Sequence, residues 1–332
     1  MAGATGGSVA KTRAPPPSAA APRPALPPAR VAEDPRCVTQ EPRPPVEGDA
    51  DTGTPAAAPA PAEVALAQAS RARLLARMKA SADPYANAVA GWLDVGATDD
   101  AAHAAQRDRE LASRAASTRD PRLYALALRT CWRKADRECA SLSARRWSEL
   151  DPGNALPWLM MLDEATARRD ASGQQEAMFH VAHAQRLAER PMAPVQPIVD
   201  AAEDDPGSLA AARALAIDAI GISAAEVWPA GFRTCVQATP GADANFWQQC
   251  VQMVDLLEHR SDTLMARMMG ASLDRRMTGN VEPGKMVSAQ LARLMTLHLE
   301  SSASCDDLRT KVSVLRRMAM EGEAAFAEGL VH

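Results

Sequence analysis

The sequence contains few aromatic residues and few residues that favour β-strands. Phe, Trp and Tyr make up 4% of the 332 residues, whereas 47% are hydrophobic, mostly Ala, Leu, Met and Val. Small and unbranched side chains favour helices, while aromatic and β-branched side chains favour strands. The composition therefore predicts an all-α protein.

The sequence also lacks a concentrated charge of either sign. Its formal net charge is −4, from 37 basic and 41 acidic residues that are interspersed along the chain. Nucleic-acid binding needs a face on which Lys and Arg cluster. We therefore expect no nucleic-acid partner.

Long hydrophobic runs are absent. The longest run, ALPWLMML, covers eight residues, which is far short of the roughly 20 that cross a bilayer as a helix. The first residues, MAGATGGSVAKTRAPPPSAAAPRP, have no apolar core of the kind that a signal peptide requires. We expect no transmembrane segment and no export signal within this sequence.

Proline is concentrated at one end of the chain, where 14 of the 25 prolines fall within residues 1–62. A segment of Pro, Ala, Gly and charged residues cannot bury enough apolar surface to offset the entropy lost on ordering. The sequence therefore predicts a disordered Pro/Ala-rich arm over residues 1–62. We expect an α-helical, repeat-like domain over residues 63–329.

Within residues 63–329 the apolar residues recur with helical spacing. In NFWQQCVQMVDLLEH, one face holds Phe246, Cys250, Val254 and Leu257. The RSDT that follows predicts a tight turn, with Ser261 or Asp262 as the N-cap of the next helix. Asp-Pro and Pro-Gly pairs interrupt the pattern repeatedly, so the helices are short. Short helices joined by tight turns pack as stacked antiparallel hairpins.

The break DPGN lies between two tryptophans, Trp147 and Trp158. Proline has no N–H to donate and glycine tolerates a left-handed cap, so one helix ends here and the next begins. Each tryptophan lies within a turn or two of the break and can bury a large area against the adjoining hairpin. We expect both to be core residues at a junction between helix pairs.

The spacing of four residues around this junction follows a repeat. Tyr124 and Trp158 are 34 residues apart, with Ala140 and Pro152 between them. The stretch 120–190 therefore resembles tetratricopeptide repeats, whose unit is a 34-residue helix pair with an aromatic residue in the first helix, Ala in the second and a closing Pro. The resemblance implies a solenoid-like stack of hairpins and a concave groove that holds another polypeptide.

Four of the six cysteines form two local pairs, each across a predicted turn. The pairs are Cys131 with Cys139 and Cys235 with Cys250. Disulfides would indicate an oxidising compartment, and inert buried thiols are the alternative. Zinc fits less well, because neither pair has the spacing of a structural site and no histidine is near. Cys37 and Cys305 have no local partner.

One segment has the spacing of metal ligands. In EAMFHVAH, Glu176, His180 and His183 lie at i, i+4 and i+7 on one helical face, where they could hold a divalent metal. The simpler interpretation is an exposed pair of Glu176 with His180. The sequence has no phosphate loop, dinucleotide-binding fingerprint or nucleophile elbow, so we expect no cofactor.

Two further features bear on binding. His298 shares a helical face with Leu294 and Met295, which predicts a hydrogen-bonded core histidine. The methionine-rich segments LMARMMG and RRMAM suit core filling, and the alternative is an adaptable binding groove.

Together these features predict a non-catalytic scaffold or adaptor that binds another protein or peptide. An export segment upstream of Met1 would place it in the periplasm or cell envelope, and otherwise we expect it in the cytoplasm. Two alternatives stay open. One is a helical metal-dependent enzyme with a site around Glu176, His180 and His183, and the other is a purely structural envelope protein.

Overall fold

Helices account for nearly all of the regular structure. The computed structural model describes residue 37 and residues 61–94, 101–132, 137–223, 229–241 and 244–330. Over these residues the chain forms fifteen α-helices and one 3-10 turn, without a β-strand. The all-α prediction is confirmed. The arm predicted over residues 1–62 lies outside the described residues, apart from residues 37, 61 and 62.

The helices follow one another through short connections. They are α1 (Pro61–Lys79), α2 (Pro84–Leu93), α3 (Ala101–Ala116), α4 (Pro121–Cys131), α5 (Ala144–Leu150), α6 (Leu156–Arg168), α7 (Ala171–His183), α8 (Val195–Asp200), α9 (Pro206–Ser223), α10 (Pro229–Val236), α11 (Ala244–His259), α12 (Leu264–Thr278), α13 (Glu282–Met295), α14 (Cys305–Glu321) and α15 (Glu323–Gly329). The 3-10 turn, Cys139–Ser141, lies between α4 and α5.

Asp-Pro pairs start several of these helices. The carboxylate of Asp83 accepts the N–H of Tyr85 at the start of α2, and that of Asp120 accepts the N–H of Arg122 at the start of α4. In both helices proline occupies the first turn, where its missing N–H costs nothing. The breaks predicted at these pairs are therefore helix N-termini.

Sequential helices pack as hairpins, most extensively α6 with α7 and α11 with α12. Helices distant in the chain also pair, because α1 packs on α9 and α14 packs on both α8 and α9. In a linear solenoid each repeat contacts only its neighbours, whereas these pairs join helices far apart in the chain. Ala140, which the resemblance assigns to the second helix of a repeat, lies exposed in the 3-10 turn. The tetratricopeptide-like arrangement over 120–190 stays a prediction.

The two tryptophans at the DPGN break differ in burial. Trp147 is fully buried, and with Tyr85 and Tyr124 it is among the largest side chains of the main core. Trp158 is partly buried and packs against the same core. The predicted core position is confirmed for Trp147, while Trp158 lies at the edge of the core.

All six cysteines are paired. The disulfides join Cys131 to Cys139, Cys235 to Cys250, and Cys37 to Cys305. The first two are the local pairs for which the sequence left disulfides and inert thiols as alternatives. The third joins residues 268 apart, and the buried Cys37 carbonyl also accepts a hydrogen bond from the Ser302 hydroxyl. Sequence spacing found no partner for Cys37 because the partner is in the last quarter of the chain.

An extended segment, residues 184–190, connects the helix pairs at the centre of the fold. On one side the Asn154 amide bonds the N–H and the carbonyl of Ala188, each at 3.0 Å. On the other side the Leu187 N–H donates to the carbonyl of Arg260 at 2.9 Å. These bonds hold residues 184–190 between the loop before α6 and the loop before α12, and they place Glu189 beside Asp262 and Thr263.

No helix in the described ranges is both long enough and apolar enough to cross a membrane.

Candidate functional site

A pocket of about 810 Å³ opens between the C-terminal helices, with walls from α9, α10, α12, α13 and α14. Methionine supplies much of this wall. The five methionines that line the pocket are Met192, Met265, Met269, Met295 and Met318. A volume of this size lies within the range of about 300–1,000 Å³ typical of ligand pockets.

The methionines extend from the mouth of the pocket to its floor. Met265 and Met295 are 54% and 65% exposed, while Met192 and Met318 are 4% and 3% exposed. Met265 and Met269 come from LMARMMG and Met318 from RRMAM. Core filling explains Met318, but Met265 contributes to a wall that faces solvent. The exposure of Met265 in the pocket wall therefore favours the binding-groove alternative for LMARMMG.

Buried polar side chains form the floor. Glu189 is 7% exposed and Thr263 is 4% exposed, and the Thr263 hydroxyl donates a hydrogen bond to the Glu189 carboxylate. Both residues line the pocket. Burial raises the pKa of the Glu189 carboxyl from 4.5 to about 7; the hydrogen bond from Thr263 opposes this shift and the nearby Asp262 adds to it.

Two further carboxylates lie beside Glu189. The Glu323 carboxylate, at the start of α15, accepts the N–H of Leu264 at 3.2 Å. Asp262 accepts the N–H groups of Glu189 and Arg190, both at 2.8 Å. Burial is the largest cause that raises the pKa of each of these carboxyls as well. The loop before α12 therefore gathers three carboxyl groups, each with an elevated pKa.

Thr263, not Ser261 or Asp262, caps α12, because its side chain accepts the N–H of Ala266 at 3.1 Å. The sequence placed the cap one or two residues too early. The consequence is that the Asp262 carboxylate is available to hold residues 189 and 190 in place.

Arg129 supplies positive charge at the floor. Its guanidinium, at the end of α4, donates to the backbone carbonyl of Glu189. Burial lowers the pKa of this guanidinium, and the charges of Glu189 and Asp262 act in the opposite direction. An arginine stays protonated in a protein despite such a shift, so Arg129 is a cation that binds the same segment that Asp262 binds.

The mouth of the pocket carries a basic side chain, an acidic side chain and a histidine. Arg233, His298 and Glu300 line it and are exposed. The prediction of a core His298 is wrong, because α13 ends at Met295 and His298 follows it with a left-handed φ of 44°. Helical periodicity does not extend past the end of the helix, so His298 turns towards the pocket.

The metal-ligand candidates lie elsewhere, on α7. The His180 ring stacks on Trp158 with 3.7 Å between centroids, Glu176 pairs with Arg145, and His183 bonds the carbonyl of Phe179. In the part of the chain that the structure describes, no three His, Cys, Asp or Glu side chains come together in a way that could hold a metal ion.

No pattern in the sequence marks Glu189, Thr263 or Glu323 as site residues. These residues are far apart in the sequence: the hydrogen bond between Thr263 and Glu189 spans 74 residues, and the one between Leu264 and Glu323 spans 59. None of the three lies in a recognisable motif. The one signal present was the methionine content of α12 and α14.

The chain matches no protein-family model, and neither the curated proteins nor the solved structures contain a match to it.

Proposed function

We propose that this protein is a non-catalytic scaffold or adaptor, and that its methionine-lined pocket receives apolar side chains from another polypeptide. The observation that carries the proposal is the pair of methionines at the mouth, Met265 and Met295, which are 54% and 65% exposed. Methionine is flexible and polarisable, so a methionine wall can adjust to apolar side chains of different shapes.

The shape and chemistry of the pocket support a peptide segment as the occupant. Its walls are mainly the sides of helices, and an amphipathic helix docks into such a groove through apolar residues one turn apart. Buried polar groups gather on the floor around Glu189, exposed ones lie at the mouth, and most of the wall between them is apolar. This division suits anchor side chains that enter from one face of a partner helix.

Photo-crosslinking tests the proposal with two matched pairs of positions. Met265 in the pocket and Met286 outside its lining are each 54% exposed; Met295 in the pocket and Met320 outside its lining are 65% and 62% exposed. Each is replaced by benzoylphenylalanine in the full chain in its own cells. We expect one polypeptide to crosslink from positions 265 and 295 and not from 286 and 320.

The captured polypeptide is then purified and titrated into the full chain. We expect Met295→Glu to weaken its binding at least about tenfold, because a charge in the apolar wall must be desolvated, and Met320→Glu to leave binding unchanged. Equal crosslinking from pocket and control positions would overturn the proposal. A small molecule found in the pocket by native mass spectrometry of the protein from its own cells would overturn it too.

A further inference from the structure

Among the described residues, carboxyl groups outnumber cationic groups at the floor of the pocket and directly behind it. Glu189, Glu323 and Arg129 line the pocket near Thr263, and Asp262 lies behind Glu189, outside the lining. Asp262 and Glu323 disfavour the ionised form of Glu189, whereas Arg129 favours it. The lining of the floor therefore has two carboxyl groups and one guanidinium, with a third carboxyl group behind them, in a setting where charges interact more strongly than in water.

The mouth does not have this bias. Arg233 and Glu300 are opposite charges on its exposed rim, with His298 beside them. Exposed charges are screened by solvent and ions. Selection by charge is therefore expected at the floor, where Glu189 and Thr263 are almost fully buried.

We infer that the polypeptide that occupies the pocket presents a lysine or arginine flanked by apolar residues, and that this cation reaches Glu189 and Glu323. The inference rests on the proposed function and adds the chemistry of the partner. The apolar stem of a lysine or arginine can lie along the methionines while its charged end meets the carboxylates. An acidic side chain in the same place would bring a third carboxyl group into contact with the floor.

Binding of a cation should depend on pH through Glu189. The groups that face Glu189 are Asp262 and Thr263 from the loop before α12, Arg129 from α4 and Glu323 from α15. Because burial raises the Glu189 pKa to about 7, a growing fraction ionises as the pH rises through neutrality. A bound cation favours the ionised form, so its affinity should increase from pH 6 to pH 8.

A phage-displayed library of random peptides tests the inference without assuming a sequence. The library is selected on the purified full chain, on Glu189→Gln and on Glu321→Gln. Glu321 is an exposed carboxylate outside the pocket lining, paired with Arg317, and serves as the matched control. We expect the wild type and Glu321→Gln to enrich peptides with Lys or Arg next to apolar residues. Glu189→Gln should keep the apolar preference and lose the basic one.

The best lysine peptide is then compared with a twin in which norleucine replaces the lysine, so that the stem remains and the ammonium is absent. We expect the wild type to bind the twin about tenfold more weakly, and Glu189→Gln to bind both alike. Glu323→Gln provides a second variant with the same expectation. A His298→Gln background removes the histidine at the mouth from the pH series.

The outcomes separate the inference from the proposed function. Apolar peptides without enriched Lys or Arg, or equal affinity for the two twins, would overturn the inference and leave the proposed function standing. Peptides that bind the Met295→Glu variant as tightly as they bind the wild type would show that binding occurs outside the pocket. That result would overturn both the inference and the proposed function.

Discussion

The carboxylate of Asp262 accepts the backbone N–H of Glu189 at 2.8 Å, across 73 residues of sequence. A second bond, from the N–H of Arg190, has the same length. Charged acceptors form stronger hydrogen bonds with N–H groups than neutral acceptors do. These two bonds therefore hold the segment that carries Glu189 against the loop before α12.

Replacement of Asp262 by alanine should destabilise the fold. The change removes two charge-assisted hydrogen bonds and leaves two partly buried N–H groups without this acceptor, which together cost about 3 kcal/mol. Urea denaturation of Asp262→Ala measures the loss in free energy of unfolding. Asp204→Ala is the control, because Asp204 is 77% exposed and pairs with Arg309 on the surface, and we expect it to cost less than about 1 kcal/mol. Equal losses in the two variants would show that Asp262 has no special role.

Glu189 should make stability depend on pH. Its pKa in the folded state, about 7, is above the ordinary value of 4.5, so the folded state binds more protons than the unfolded state between these values. Its contribution therefore becomes less favourable as the pH rises from about 4.5 to 7. We expect Glu189→Gln to gain stability relative to the wild type over this range, by up to about 3 kcal/mol. Melting temperatures of both proteins from pH 5 to pH 8 measure the difference, and a constant difference would contradict the assignment.

The disulfides should contribute unequally. On the loop-entropy view, a cross-link stabilises more when it closes a longer loop, up to about 5 kcal/mol for the longest and roughly 2 kcal/mol for the shortest. Cys37 and Cys305 are 268 residues apart, whereas Cys131 and Cys139 are 8 apart. We expect serine at the first pair to lower the melting temperature more than serine at the second. Alkylation of the unfolded, unreduced protein should label no cysteine, and one labelled pair would show which bond is absent.

Two glycines in helices should respond to alanine with opposite signs. A Cβ at Gly270 would lie 2.8 Å from both the Leu257 Cβ and the Glu258 Cγ, whereas a Cβ at Gly91 meets nothing within 4 Å. Gly270→Ala should therefore push α12 away from α11 and cost about 1–3 kcal/mol. Gly91→Ala should stabilise by up to about 1 kcal/mol through helix propensity. Thermal denaturation of both variants checks this, and a stabilising Gly270→Ala would mean that the two helices are farther apart.

Local chemistry predicted much of the fold. Breaks between helices were predicted correctly at Asp83 and Asp120, which precede prolines and cap the helices that follow, because a carboxylate cap and a missing N–H are effects of adjacent residues. The buried face of α11 was predicted correctly at three positions, because Cys250, Val254 and Leu257 are buried. Phe246, expected on the same face, is only partly buried, since periodicity does not say how far along a face its neighbours cover it.

The site was harder to predict than the helices. His298 was misplaced because the helical pattern was extended three residues beyond the end of α13 at Met295. Thr263 was passed over as the cap of α12 because three residues in RSDT have side chains that can cap a helix. Which of them does so depends on the bonds that Asp262 makes to Glu189 and Arg190.

Composition and spacing along the chain by themselves determined that this protein is built of short helices, where several breaks between them fall, and which cysteines can pair across a turn. These properties depend on residues within a few positions of one another. The tertiary structure alone decided that Cys37 pairs with Cys305 and that Glu189, Thr263 and Glu323 meet beneath a methionine wall. A hydrophobic pattern specifies which side chains share a helix face, but packing among all the helices selects which faces meet.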